Sequence, residues 1–137
     1  CIFGDIDIED NAAWCRARCD AVGLPAHFPL WKRDRAENTR EAVALGYRCV
    51  VKCVRNRDLP QSYLGRVMDE EMIEDMARRG IDICGENGEY HTFCYGGGMF
   101  RTSVPFTLGT PMQQSYPVRL DDGTERFYTY WFADLNA

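Results

Sequence analysis

Within nine residues, Gly85-Glu86-Asn87-Gly88-Glu89-Tyr90-His91-Thr92-Phe93, the chain places two carboxylates, an amide, an imidazole, a threonine and two glycines. Carboxylates at that density can hold a divalent cation or orient an amine nucleophile. Glycines at 85 and 88 let the backbone come close to a ligand, or turn N–H groups toward an anion. A surface turn needs one or two such residues, and this stretch sits between two apolar-polar runs, IDIC (81–84) and TFCY (92–95). Each residue also has a plain reading. Glu86 and Glu89 would then be a solvated turn, and His91 divides evenly between a structural hydrogen bond and a contact to substrate.

The elements that must hold this segment alternate in period. Residues 9–22 place Ala13, Trp14, Ala17 and Ala21 at helical spacing, with Asp10 or Asn11 as N-cap and Gly23 as the stop. Residues 34–45 and 69–79 are again helical, closed by Gly46 and Gly80. Tyr47–Val54 (YRCVVKCV) is the strongest strand, rich in β-branched residues. Cys1–Ile6, Pro25–Leu30 and the IDIC run add shorter ones. Strand, helix, strand, helix, strand at this spacing predicts an α/β fold: a Rossmann-like parallel sheet with right-handed crossovers. After Gly85 the helical period vanishes. Segments 91–95, 103–108, 114–120 and 125–133 predict a small antiparallel β part, with a hairpin turn at Asp121-Asp122-Gly123. The expected organisation is an α/β domain over 1–95 and an antiparallel extension of it over 96–137.

In a parallel α/β sheet, ligands sit beyond the C-terminal strand ends. Three loops are expected there: Gly4–Asp7, Pro29–Arg35 and Gly85–Thr92. They offer Asp5, Glu86 and Glu89 as carboxylates. Arg33, Arg35 and Arg66 are cations whose planar fork suits phosphate or carboxylate. Trp31 reads as core before stacking platform. Gly96-Gly97-Gly98 lacks the lysine and Ser/Thr of a phosphate loop and reads as a flexible turn.

Composition bounds the function. A net charge of -5 on 137 residues argues against a nucleic-acid grip, which needs a basic face. No run reaches the roughly 18 apolar residues of a membrane span, so neither nucleic acid nor membrane is expected as a partner. The seven cysteines include Cys15/Cys19 on one helix face and Cys49/Cys53 on one strand face. They read as small buried hydrophobes in a reducing cytosol rather than as ligands, so no metal centre is expected from them. The location expected is cytoplasmic. The opening CIFGDI reads as a strand already under way, which predicts a chain whose N-terminal part lies upstream.

FGDI (3–6), HFPLW (27–31) followed by KRDR, LGR (64–66) and above all CGENGEYHTF (84–93) carry a resemblance. In order from residue 3 to about residue 100, the chain resembles the ATP-binding diphthine–ammonia ligase family of the adenine nucleotide alpha-hydrolase (HUP-type) superfamily. The resemblance implies an ATP-dependent amide-forming ligase, in which a carboxylate is activated as an acyl-adenylate and ammonia displaces AMP. It implies ATP and Mg2+ as cofactors, ammonia as co-substrate, and as carboxylate the diphthine of translation elongation factor 2, with another small carboxylate left open. A homodimer is allowed. By the same resemblance Glu86, Glu89 and His91 are the catalytic candidates, the two glutamates binding magnesium or ammonium or holding the acyl acceptor. Asn87, Gly88, Thr92, Arg66 and Trp31 are expected to bind substrate, and Gly4, Asp5 and Gly85 the nucleotide. The family's SGGKDS pyrophosphate loop is absent from these residues and is expected upstream of Cys1. The contrasting reading is a non-catalytic nucleotide-binding or protein-interaction module on the same fold. A stress-protein-like nucleotide-binding domain fits less well, since it calls for a glycine-rich phosphate loop late in the chain.

Overall fold

Helix α1 (Glu9–Asp20) occupies the expected segment but turns its other face inward. Ala12, Cys15 and Cys19 are buried, whereas Trp14 is 63% exposed with the Arg18 guanidinium 5.7 Å above its ring. Small apolar residues recur at helical spacing on both sides of this helix, so the pattern alone does not choose between them. The N-cap is Ile8, without a side-chain bond, and Asp10 and Asn11 lie inside the helix. An acidic first turn, Glu9 and Asp10, still complements the positive end of the helix dipole.

The computed structural model describes residues 1–120 and 122–136. They divide into two units, Cys1–Asn38 and Thr39–Ala137. In the first, α1 is joined by a parallel bridge between Ile2 and His27, fastened by Phe3 N–H to the His27 carbonyl and His27 N–H to the Cys1 carbonyl, both 2.9 Å. Phe28 stacks on Phe3 at 5.2 Å and meets the edge of Trp31 at 5.9 Å, with the Arg16 guanidinium over both rings. Arg35 clasps the Asp7 carboxylate through Nε at 2.8 Å and Nη2 at 2.6 Å. Helix α2 (Arg35–Ala44) starts where Asp34 accepts the Glu37 N–H at 2.9 Å, and it runs on into the second unit.

The second unit is organised by strand β1 (Arg48–Arg55), whose Val50, Val51, Cys53 and Val54 are buried. After it come a 3-10 turn (Gln61–Tyr63) and helix α3 (Glu70–Arg78), capped by Asp69, which accepts the Met72 N–H at 2.8 Å. Met72, Ile73 and Met76 of α3 join Leu59 and Tyr63 in the core. Then follow β2 (Tyr90–Gly96), β3 (Thr107–Leu108), β4 (Met112–Arg119), β5 (Glu125–Phe132) and β6 (Leu135–Asn136). The main sheet has the order β2-β1-β5-β4, and β3 pairs with β6 apart from it. At the β4–β5 hairpin the expected turn residue Asp121 lies outside the described residues, while Asp122 accepts from the Thr124 N–H and hydroxyl at 2.9 and 2.6 Å.

The parallel Rossmann-like sheet expected from the alternation of elements is not what the chain builds: among the described residues every pairing between named strands is antiparallel. The expected strands at 1–6 and 25–30 amount to one bridge, and Ile81–Cys84 is irregular. The apolar run of β1 correctly signals a strand buried on both faces. Burial on both faces comes equally from a central place in an antiparallel sheet, and strand direction leaves no mark on composition. No helix among the described residues is long and apolar enough to cross a membrane.

The triple glycine is a tight contact, not a loose turn. Gly97 has φ 77°, and a Cβ there would stand 1.6 Å from the Gly46 carbonyl oxygen. Gly98 closes on Tyr47 in the same way, its Cβ 2.3 Å from ring Cε1. Below α3, the Tyr63 hydroxyl donates to Asp75, and Arg66 and Arg79 approach that carboxylate at 3.1 and 3.3 Å. The Tyr63 hydrogen bond, seconded by Arg66 and Arg79, lowers the Asp75 pKa to about 2.

Two predictions follow from these contacts. Gly97→Ala meets backbone on one side and a left-handed φ on the other, and should cost about 2 kcal/mol or more by urea denaturation. Gly123→Ala shares the positive φ of 80° but has open space, and should cost about 1 kcal/mol. Equal losses would remove the close contact as the cause. For Asp75 the folded-state pKa is depressed, so its stabilisation is complete above the ordinary value of 3.8 and fades as pH falls toward about 2. Urea midpoints across that window should fall more steeply for the wild-type chain than for Asp75→Asn, and parallel slopes would refute the linkage.

Candidate functional site

The segment between α3 and β2 holds its shape by its own hydrogen bonds. Asp82 accepts the Cys84 N–H at 3.0 Å and the Asn87 amide at 3.4 Å, and Asn87 also donates to Glu89 Oε1 at 3.2 Å. The Gly85 N–H bonds the Asp82 carbonyl and the Gly88 N–H bonds the Gly85 carbonyl, both at 3.0 Å. These two N–H groups are therefore consumed inside the turn. They are not presented as a nest for an anion.

This segment forms one side of a cavity of about 470 Å³ within the second unit. Gly85, Glu86, Gly88, His91 and Thr92 line it, so the fold brings five of the sequence-derived candidates together. The C-terminal half of α2 contributes Thr39, Ala42 and Val43, and the entry to β1 contributes Tyr47 and Cys49, with Met68 between. Tyr90 completes the wall. Its hydroxyl donates to the Ile83 carbonyl, and burial, with nearby Cys84 and Asp82, pushes its pKa well up, so it stays a neutral phenol. Cys49 is neutral as well: burial first, then its hydrogen bond with Cys94, raises the thiol to about 11. Cys94 faces Cys49 in the β1–β2 register. Both cysteines, like the other five, are free thiols.

Glu89 stands apart from Glu86. It is 6% exposed and absent from the cavity lining, and its Oε2 has no hydrogen-bond partner among the described residues. Its backbone carbonyl accepts the Arg55 N–H at 2.7 Å, which ties the loop to the end of β1. Arg55 is nearly as buried, paired with Asp58 and lying 5.6 Å from the centre of the Tyr128 ring. Burial alone would weaken its hold on the proton. The hydrogen bond and charge of Asp58, with Tyr130 and Glu89 beyond, reverse that and raise its pKa. Gly88 sits beside this pair with φ 78°, and a Cβ there would make only ordinary contact, 3.7 Å from Arg55 Nη1. A buried carboxylate oxygen without a donor is costly, and such an atom needs a proton, a water or a cationic ligand to complete it.

The other candidates lie elsewhere. Arg66 is engaged with Asp75 and lies 4.7 Å over the Tyr63 ring, and it does not line the cavity. Asn87 is exposed and acts on Glu89. Trp31, Gly4 and Asp5 belong to the first unit, where Trp31 is half-buried against Phe28 and Gly4 is exposed with open space around it. Sequence reasoning missed Tyr47, Cys49, Met68 and Tyr90 as lining residues. Tyr90 stands inside the motif, but no role was expected of it. Tyr47 and Met68 carry no local signal, being drawn in by chain segments distant in sequence.

The family model described as the diphthamide synthase C-terminal domain matches residues 34–111, more than half of the chain. Among curated relatives, diphthine–ammonia ligase of Homo sapiens is 28% identical over 90 residues, covering 63% of this chain and 34% of the relative. The Danio rerio protein of the same name is 32% identical over 90 residues, covering 63% and 35%. The chain thus spans about a third of the length of the curated relatives it matches. The matched family segment contains the whole Ile81–Thr92 turn and every residue that lines the cavity, and the chain belongs to the diphthamide synthase C-terminal domain family.

Proposed function

We propose that this chain supplies the acceptor-side part of an amide-forming ligase of the diphthine–ammonia ligase kind, joining ammonia to a carboxylate. The observation that carries this reading is Glu89: a buried carboxylate with one oxygen held by Asn87 and the other without a partner, at the base of the turn that lines the cavity. An ammonium ion must be captured and lose a proton before its nitrogen can attack an acyl group. A desolvated carboxylate with a vacant acceptor can do both, by accepting the N–H and then the proton. Glu86 and His91 on the cavity side can hold the acceptor end of the substrate, and Thr92 can donate or accept beside them. The names of the relatives, diphthine and ammonia together, support the substrate pair.

ATP would supply activation of the carboxylate, with Mg2+ at its phosphates. The residues of the cavity do not fit that group. None of its lining side chains is Lys or Arg, and the Gly85 and Gly88 N–H groups are turned inward. Among the described residues no cluster of three His, Cys, Asp or Glu side chains could hold the metal. In this reading the nucleotide is held by parts of the full-length protein to which this chain does not correspond, and no step at the cavity runs through it.

Glu89→Gln tests the reading, because it preserves shape and the Asn87 contact while removing the proton acceptor. In the full-length protein carrying this chain, ammonia-dependent amide formation should drop by about a hundredfold or more, with an unchanged urea midpoint for the variant. Turnover within a few-fold of wild type would rule out Glu89 as the ammonium-handling group.

A further inference from the structure

Cys49 and Cys94 meet across the β1–β2 ladder, and amide formation uses neither thiol. Backbone hydrogen bonds fix how they meet. The Cys49 carbonyl accepts the Met68 N–H at 2.8 Å, while Val51 donates to Arg66 and accepts from Gly65, each at 2.9 Å. These groups point to the edge of β1 that faces away from β2. Cys49 and Cys94 are therefore opposed at a site without ladder hydrogen bonds between them, the kind that brings side chains closest. Opposed Cα atoms at such a site are about 4.5 Å apart, inside the roughly 4.4–6.8 Å that a disulfide spans without backbone movement. The two sulfurs already share a hydrogen bond, and the Thr92 side chain also reaches Cys49.

The other close cysteine spacings lack this geometry. Cys15 and Cys19 lie one turn apart on α1, with Cβ atoms about 5–6 Å apart where a disulfide needs roughly 3.5–4.5 Å. Cys49 and Cys53 are four residues apart on one strand, roughly 13 Å. Cys53 is opposed by His91 instead of a sulfur. Cys84 is the rival, since it lines the same cavity as Cys49, but it sits in the turn that Asp82 braces through its N–H at 3.0 Å. Both Cys49 and Cys94 are half-buried, within reach of a small solute. Burial and the bond with Cys94 raise the Cys49 thiol to about 11, so Cys49 keeps its proton at neutral pH and Cys94 is the sulfur that reacts first.

We infer that Cys49 and Cys94 are an oxidation site, at which a small-molecule disulfide drives closure of a covalent bridge between β1 and β2 on the cavity wall. The step is a thiol–disulfide exchange. Cys94 loses its proton and attacks one sulfur of the small disulfide, whose S–S bond breaks, and the departing half takes up that proton as a thiol. Cys49 then gives up its proton and attacks the Cys94 sulfur of the mixed disulfide. The Sγ–Sγ bond forms, and the second small thiol leaves with the Cys49 proton. Two electrons pass from the protein pair to the small disulfide, which ends as two thiols. The bridge removes the Cys49 thiol as a donor from the wall beside Thr92. This goes beyond the ligase reading and does not depend on it.

Glutathione disulfide is the oxidant for the test. The full-length protein carrying this chain is equilibrated with it, the remaining thiols are alkylated, and the peptides are mapped by mass spectrometry. A peptide pair joined through Cys49 and Cys94 is expected, about tenfold or more over any other pairing of these cysteines, and dithiothreitol should reverse it. Cys94→Ser should abolish the bridge, while Cys1→Ser, at an exposed position, should leave its yield unchanged. Three results would each overturn the inference. They are Cys49 joined chiefly to Cys84, full alkylation of Cys49 and Cys94 after the exposed Cys1 has reacted, and a glutathione adduct on either sulfur that never resolves into the bridge. The wild-type peptide map decides by itself if Cys94→Ser does not fold.

Discussion

Strand β1 is hydrogen-bonded along both edges, and the rest of the second unit is arranged to make that so. On one edge it carries β2 from Arg48 to Val54. On the other, Gly65–Met68 covers the first half, with Val51 exchanging bonds of 2.9 Å with Gly65 and Arg66 and Cys49 accepting from Met68 at 2.8 Å. From Cys53 onward β5 takes over that edge. A strand of nearly continuous apolar residues cannot leave backbone groups unpaired in the interior, so each part of both edges must find a partner. The chain meets this requirement with three separate segments. Two of them flank the cavity: β2 brings His91 and Thr92, and the Gly65–Met68 segment brings Met68.

The two glutamates of the motif illustrate how a turn separates roles that sequence distance would merge. They are three residues apart. Asp82 and Asn87 brace the turn between them, so Glu86 stays with the cavity while Glu89 is carried beneath, toward Arg55. A carboxylate buried beside a paired arginine is stabilised electrostatically but keeps one oxygen without a donor. Such an atom calls for a proton, a water or a cationic group to complete it. The arrangement leaves Glu86 on the cavity wall and Glu89 buried behind the turn.

The family relation and the observed sheet fit together once the chain is taken as one region of a longer type of protein. The matched family is a C-terminal domain, and its antiparallel sheet need not reproduce the architecture that binds a nucleotide. Likeness in motif does not carry the fold of a neighbouring region with it.

Much of this molecule is local, and to that extent the sequence alone determined it. Helices α1, α2 and α3, strand β1 and the β4–β5 hairpin fall where period and glycine stops put them, because those signals act within a few residues. The chemical content of the 85–92 turn was equally plain from residue types. Tertiary structure decided the rest. Strand direction depends on which distant edge is available, so an alternating order of helices and strands became an antiparallel sheet. The buried face of α1 was decided by tertiary packing, since both of its stripes, Ala13/Trp14/Ala17 and Ala12/Cys15/Cys19, are apolar. Tyr47 and the Gly97–Gly98 pair acquire meaning only through contact across about fifty residues of chain. Burial of Glu89 and exposure of Glu86 to the cavity likewise follow from how the turn packs on β1, a non-local fact on which residue type is silent.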